Sequence, residues 1–294
     1  PRLSKVPQPL YNKDMDQADN QDSQPVEIAK AATPLARPHL ERAELADIVD
    51  LALRAGELLM HNGAESQRVE ETLRILGTGL GCDWGNVLVS YNAIIVTHAS
   101  GDEFRTKIRR VSPGGVNMSM LEAISHLTHR VEEGTFDRHR VRTELERIST
   151  TSRRYNRWIT AVTVGLACAA FCRLFGGDWL AMAVTWAAAA IAMLVRQELT
   201  RRNFNQLLVV IVTAFAAGGL VGLINWFHLS PHLEPALAAS VLLLVPGVPF
   251  INAVEDLIKG HLAVGVARAT AAVLIILGIA LGLLAAMWLT AVSL

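Results

Sequence analysis

The sequence predicts an α-helical polytopic membrane domain of about five transmembrane helices, the fourth one broken, preceded by a small cytoplasmic α+β domain. Three observations carry that prediction. Charged residues make up 18% of the 294, below the roughly 25% usual in soluble domains, while 51% are hydrophobic and mean hydropathy is +0.32. Only 11 of the 54 charges lie beyond residue 157. Between those 11 run charge-free stretches at 158–172, 179–195, 203–233, 235–254 and 269–294. The chain is formally neutral, with 27 basic and 27 acidic side chains, so no global field attracts nucleic acid.

Taken in order, residues 1–40 form a Pro-rich tail with prolines at 1, 7, 9, 25, 34 and 38 among Asn, Asp and Gln. Such a composition buries too little to offset its ordering entropy, so the tail is expected to be disordered. It carries no apolar signal core, and the absence of an initiator Met suggests trimming or processing. The cytoplasmic domain spans 41–152. Leu45, Ile48, Val49, Ala52, Ala55 and Leu59 recur at helical spacing up to Asn62-Gly63, and a second helix is expected from Ser66 as N-cap through Val69, Leu73 and Leu76. The β-branched run Val87–Thr97 and the alternating segment Glu103–Val111, joined at Ser100-Gly101-Asp102, predict a β-hairpin. Two more helices are expected near 119–133 and 138–152.

The transmembrane domain, 153–294, is read with spans at about 157–175, 178–195, 206–227, 236–254 and 264–291. The first two are short and borrow flanking residues such as Arg173. Trp158, Trp179, Trp226 and Trp288 stand near the edges, where interfacial aromatics belong. Arg153, Arg154 and Arg157 precede the first span, Arg196, Arg201 and Arg202 follow the second, and Lys259 follows the fourth. The positive-inside rule then places the N-terminal domain in the cytoplasm and the C-terminus outside.

The most informative segment is Val245-Pro246-Gly247-Val248-Pro249 with its sequel. Two prolines around a glycine remove backbone donors and break the fourth helix. Broken helices at membrane depth hold ions or substrates in many transporters, although a packing kink is the plainer alternative. Downstream, Asn252, Asp256 and Lys259 can share one helical face, with Glu255 and His261 close by. For Glu255, Asp256 and Lys259 the plain alternative is a solvated loop, with Glu255 and Lys259 as a surface ion pair. Arg268 lies inside the last apolar region, where it either binds an anionic group or snorkels to the interface. Pro246, Gly247, Pro249, Asn252, Asp256, Lys259, His261 and Arg268 are therefore the candidate substrate-binding residues.

Other constellations are weaker. Cys168 and Cys172 share a helix face without a third ligand near in sequence, and three cysteines make no disulfide framework. His126 and His129, with Glu122 and Glu133, read as a solvated face rather than a zinc site. Gly114-Gly115 offers backbone amides to an anion or is an ordinary turn. No P-loop, dinucleotide fingerprint or nucleophile elbow is present, so neither ATP-driven pumping, a cofactor, a metal nor catalysis is expected.

Gly56-Glu57-Leu58-Leu59, Asn62-Gly63-Ala64-Glu65-Ser66, Arg68-Val69-Glu70, Ser90-Tyr91-Asn92-Ala93-Ile94 and Gly115-Val116-Asn117-Met118 form a recognisable pattern. Together with Val245-Pro246-Gly247-Val248-Pro249, Asn252, Asp256 and Lys259-Gly260-His261, it resembles the threonine/serine exporter family over about residues 45–290. The likeness is greatest to the split form, the larger subunit of the two-component bacterial succinate exporter. Fused members carry a second hydrophobic half, whereas this sequence stops after its fifth span. The resemblance therefore implies a second small membrane subunit, a bacterial inner-membrane location, and ion-coupled export of a small organic acid or amino acid such as succinate, threonine or serine. A closed oligomer is a further expectation. Two competing readings are a membrane-anchored sensor or scaffold, which needs an anchor but not a broken, polar fourth helix, and a membrane enzyme using Glu65, Asn92, His98 and Asn117, for which no nucleophile, metal or cofactor motif can be assembled.

Overall fold

The computed structural model describes residues 39–112, 114–150, 156–225 and 233–290, and His39–Leu294 forms one compact unit. The expected tail and Trp226 lie outside the described residues. The N-terminal part runs α1 (Arg42–His61), α2 (Ser66–Gly79), β1 (Trp84–Ser90), β2 (Ala93–Ser100), β3 (Glu103–Arg110), α3 (Met118–Glu132) and α4 (Arg138–Thr150). Then come α5 (Arg157–Leu174), α6 (Trp179–Arg201), α7 (Gln206–Asn225), α8 (Leu233–Ser240), a 3-10 turn at Leu242–Leu244, α9 (Gly247–Ile258) and α10 (Leu262–Thr290).

The β region differs from the expected hairpin. The run Val87–Thr97 folds back on itself at Tyr91-Asn92, giving an antiparallel sheet in the order β1-β2-β3 with Ser90 opposite Ala93 and Ser100 opposite Glu103. Asn92 serves the turn by accepting the Val111 N–H through its carbonyl at 2.8 Å. One face of the sheet packs on the helices: Val89, Ile94 and Val96 join Val49, Leu59, Leu73, Ile124 and Leu145 in a single core. On β3 that face is basic, and Lys107 and Arg109 reach Asp50 and Glu57 of α1 at 2.6 and 3.0 Å. His98 sits in the same layer, fully buried, in a slot walled by glycines. A Cβ on Gly77 or Gly85 would lie 2.0 or 2.2 Å from its ring.

Four helices, α5, α6, α7 and α10, are long and apolar enough to cross a membrane. The segment from Glu234 to Ile258 qualifies as a fifth span bent by 64°. The break falls at Val245-Pro246. Pro249 does not interrupt α9, because it lies in the first turn, where an N–H has no intrahelical acceptor anyway. Arg196, expected in a loop, lies within α6, which outlasts its apolar run and ends at Arg201. Its guanidinium donates to the Leu243 carbonyl at 3.0 Å, satisfying an acceptor freed by the break. Arg157 meets Glu198 at 3.3 Å, which pairs the start of α5 with the end of α6.

Small residues set the closest helix approach. On α7, Gly218 and Gly222 lie against Leu283, Ala286 and Thr290 of α10, and on α10, Gly278 and Gly282 lie against Leu207, Ile211 and Ala214 of α7. A Cβ on Gly282 would lie 2.4 Å from the Ile211 carbonyl, and one on Gly222 would strike Thr290. In a medium as apolar as the side chains, such backbone contact is the main source of helix affinity.

Candidate functional site

The site forms where the turn between α1 and α2 meets α9 and the start of α10. Asn62 ends α1, its side chain donating to the Leu58 carbonyl at 2.7 Å, and Gly63 at φ 86° reverses the chain, a conformation glycine adopts without strain. Glu65, not Ser66, is the N-cap of α2, with extended backbone but no side-chain cap bond, and the first turn of α2 holds no acid. The negative charge that this helix start favours arrives from the other end of the chain.

Asp256 is fully buried, and its Oδ1 accepts the Ser66 N–H at 3.0 Å, a cap supplied from 190 residues away. Its Oδ2 lies 3.2 Å from Nη1 of Arg268, whose Nη2 donates to the Ala64 carbonyl at 3.0 Å. One turn earlier on α9, Asn252 Nδ2 donates to the Gly63 carbonyl at 2.7 Å. One turn later, Lys259 lies 2.7 Å from Glu65 and 2.6 Å from Glu255. Gly260 at φ 88° then closes α9, the His261 N–H returns to the Asp256 carbonyl at 2.8 Å, and the His261 ring stands 3.6 Å from Glu70. Burial raises the Glu65 carboxyl above its ordinary value, aided by a hydrogen bond with Glu255 and opposed by Lys259.

Five of the eight expected residues therefore converge on one surface: Asn252, Asp256, Lys259, His261 and Arg268. The Arg268 guanidinium turns to Asp256 and the Ala64 carbonyl, and Lys259 contacts Glu65 of another element as well as Glu255. Beside them a cavity of about 140 Å³ opens, lined among others by Tyr91, Gln206, Pro249, Asn252 and Arg268. Among the described residues that line it, Arg268 is the only charged side chain. Pro246 shapes the break, and Gly247 opens to the surroundings with no atom near a hypothetical Cβ. The Gly63 and Ala64 carbonyls, the Ser66 amide, Glu70, Tyr91 and Gln206 escape sequence reasoning. The one legible hint is a helix start without an acid in its first turn.

Of the remaining candidates, Gly114 lines the same cavity and the Asn117 N–H donates to the Asn62 carbonyl at 3.2 Å, whereas the cysteines and the histidines of α3 are not among the described residues lining it. Gly114 passes tightly against His61, where a Cβ would lie 2.3 Å from the carbonyl, and Asn117 caps α3 through the Met120 N–H at 3.2 Å. Cys168 and Cys172 are buried free thiols in α5. His126 stands near Glu122 and His129 near Glu132, on an exposed helix face. Among the described residues no group of three or more His, Cys, Asp or Glu side chains is placed to hold a metal ion.

Comparison with known proteins now bears on this geometry. The family model described as "Putative threonine/serine exporter" matches residues 50–290. Two relatives named "Probable succinate transporter subunit YjjP", from Klebsiella aerogenes and Escherichia coli K12, are each 37% identical to this chain. The matches cover 84% and 82% of this chain and 95% and 93% of theirs. The "Threonine/serine exporter" of Corynebacterium glutamicum is 20% identical over 80% of this chain and 50% of its own length. No solved structure matches. With its apolar helices and a family match over most of its length, this chain belongs to the threonine/serine exporter family, a family of membrane transporters and not of enzymes.

Proposed function

We propose that this chain is one subunit of a bacterial inner-membrane secondary exporter of a small carboxylate, working with a second small membrane subunit. The observation that carries the reading is the cavity of about 140 Å³ between the α1–α2 turn and the broken span, with Arg268 as the sole charge among its described lining residues and Asn252, Gln206 and Tyr91 as neutral polar partners. A guanidinium in a mostly apolar wall favours a carboxylate. An amino-acid cargo would also need a partner for its ammonium group, and the described residues of the lining offer no carboxylate. That balance favours a succinate-like acid over threonine or serine. The names of the two 37%-identical relatives, as probable succinate transporter subunits, support both the acid and the partner subunit. Basic residues at the α5 start and α6 end support a cytoplasmic N-terminal domain, and five crossings would then put the C-terminus outside.

The test is reconstitution of the chain with its partner subunit in liposomes, measuring efflux of labelled succinate, threonine and serine with and without a proton gradient. Succinate efflux that collapses with the gradient is expected. Transport of none of the three would overturn the reading.

A further inference from the structure

The start of α2 and Arg268 converge on one carboxylate, and that carboxylate belongs to the protein. We propose that these groups form a carboxylate seat in which Asp256 is an internal occupant, and that a carboxylate cargo takes the same seat when Asp256 leaves it. The inference rests on the exporter reading for the identity of the cargo, but not for the existence of the seat.

Two independent observations support it. The first is composition: a 14-residue helix begins with no acid in its first turn and no side-chain cap from Glu65, and the anion at its N-terminus comes from α9. The second is incomplete satisfaction. Of six buried side-chain polar atoms without a hydrogen bond among the described residues, three are here: Ser66 Oγ, Asp256 Oδ2 and Arg268 Nη1. The Asp256–Arg268 approach of 3.2 Å is an ion pair by distance, yet neither atom is aligned for a hydrogen bond. A buried pair that is structural alone is normally completed by aligned bonds. This one leaves a hydroxyl donor, a guanidinium donor and a carboxylate acceptor for a better-placed partner, and Arg268 also borders the cavity.

Exchange of one carboxylate for another keeps the local charge constant, so Arg268 is never left buried and unpaired. Two carboxylates cannot share the seat, because only one guanidinium and one helix end compensate them. Cargo arrival and Asp256 departure are then the same event. Since Asp256 Oδ1 ties the α1–α2 turn to α9, that event also loosens the N-terminal domain from the broken span.

The experiment is chemical rescue of Asp256→Ala, in the full chain within its membrane complex, read as thermal unfolding against added acetate at constant ionic strength with chloride as control. The variant is expected to unfold several degrees below wild type, with acetate restoring at least half the loss along a saturable curve and chloride restoring none. Asp256→Ala/Arg268→Gln is expected to give no acetate response. Acetate that stabilises Asp256→Ala no more than wild type, or stabilises the double variant equally, overturns the seat. If Asp256→Ala does not fold, Asp256→Asn keeps the shape and removes the competing charge; succinate binding about tenfold tighter than wild type is expected, and unchanged binding overturns the proposal. Rescue without efflux would sink the exporter reading alone, and efflux without rescue would sink the seat alone.

Discussion

His98 and Asp256 are both fully buried ionisable groups, and the fold treats them in opposite ways. His98 lies in the core of the N-terminal part between Gly77 and Gly85, its ring set against backbone groups of Leu73 and Trp84. Burial lowers its pKa, so the group is stored neutral. Asp256 lies where two parts of the chain meet and keeps a cation and a helix terminus beside it. A core can discard a charge because nothing there needs it. A junction built on an ion pair, with its cation on α10 and its helix end on α2, makes three helices depend on one carboxylate.

The sharpest way to break that contrast is Arg268→Gln, which leaves Asp256 buried and unpaired. A loss of about 3–5 kcal/mol is expected in unfolding of the complex. Asp256→Asn on top should recover much of it, whereas additive losses in a double-mutant cycle would deny that the two residues form a unit. On the His98 side, Gly77→Ala places a Cβ 2.0 Å from the ring and should destabilise by about 1–3 kcal/mol through overpacking. His98→Ala in the same chain should relieve it.

Next in size is Asn252→Ala, expected to cost about 1 kcal/mol by removing the bond to the Gly63 carbonyl, measured as the shift in unfolding midpoint. Acidification then separates the two regions by sign. The folded state resists protonation of His98 while the unfolded chain accepts it near about 6.5. Stability from this group is present above that value and is lost as pH falls through it. His98→Gln should flatten the midpoint between pH 7 and 5. Glu65 is shifted upward, so its contribution is present at acid pH and is lost as pH rises through its raised folded value. The smallest effect is Glu65→Gln, which removes that rise and one partner of Lys259, a change of tenths of a kcal/mol for so accessible a cluster. A large effect would mean that the ion pair, and not the buried seat, holds the junction.

Much of this was legible along the chain. Charge-free runs mark α5, α6, α7 and α10 because only long uncharged helices bury well in lipid, and Pro246 marks the break because it lacks an N–H. The spacing of Asn252, Asp256 and Lys259 gave their common face. What they face was not legible: Ser66, Ala64 and Gly63 lie some 190 residues earlier and act through backbone atoms, which carry no residue-specific signature. The Tyr91-Asn92 turn was missed because it lies inside a β-branched run with no glycine or proline to punctuate it. Arg268 read equally well as a snorkelling cation, since periodicity says nothing about a partner on another helix.

The break at Val245-Pro246 also makes α9 a lever. Twelve residues at ~1.5 Å each give an arm of ~18 Å, pivoting at one end and gripped near the other. The frame beside it is stiff, because glycine contacts clamp α10 to α7 backbone against backbone. A swing of ~10° about the pivot moves the Lys259 end by ~3 Å, about the length of a hydrogen bond. Because displacement grows along the arm, such a swing would strain the Lys259 contacts first, the Asp256 contact next and the Asn252 contact, nearer the pivot, least.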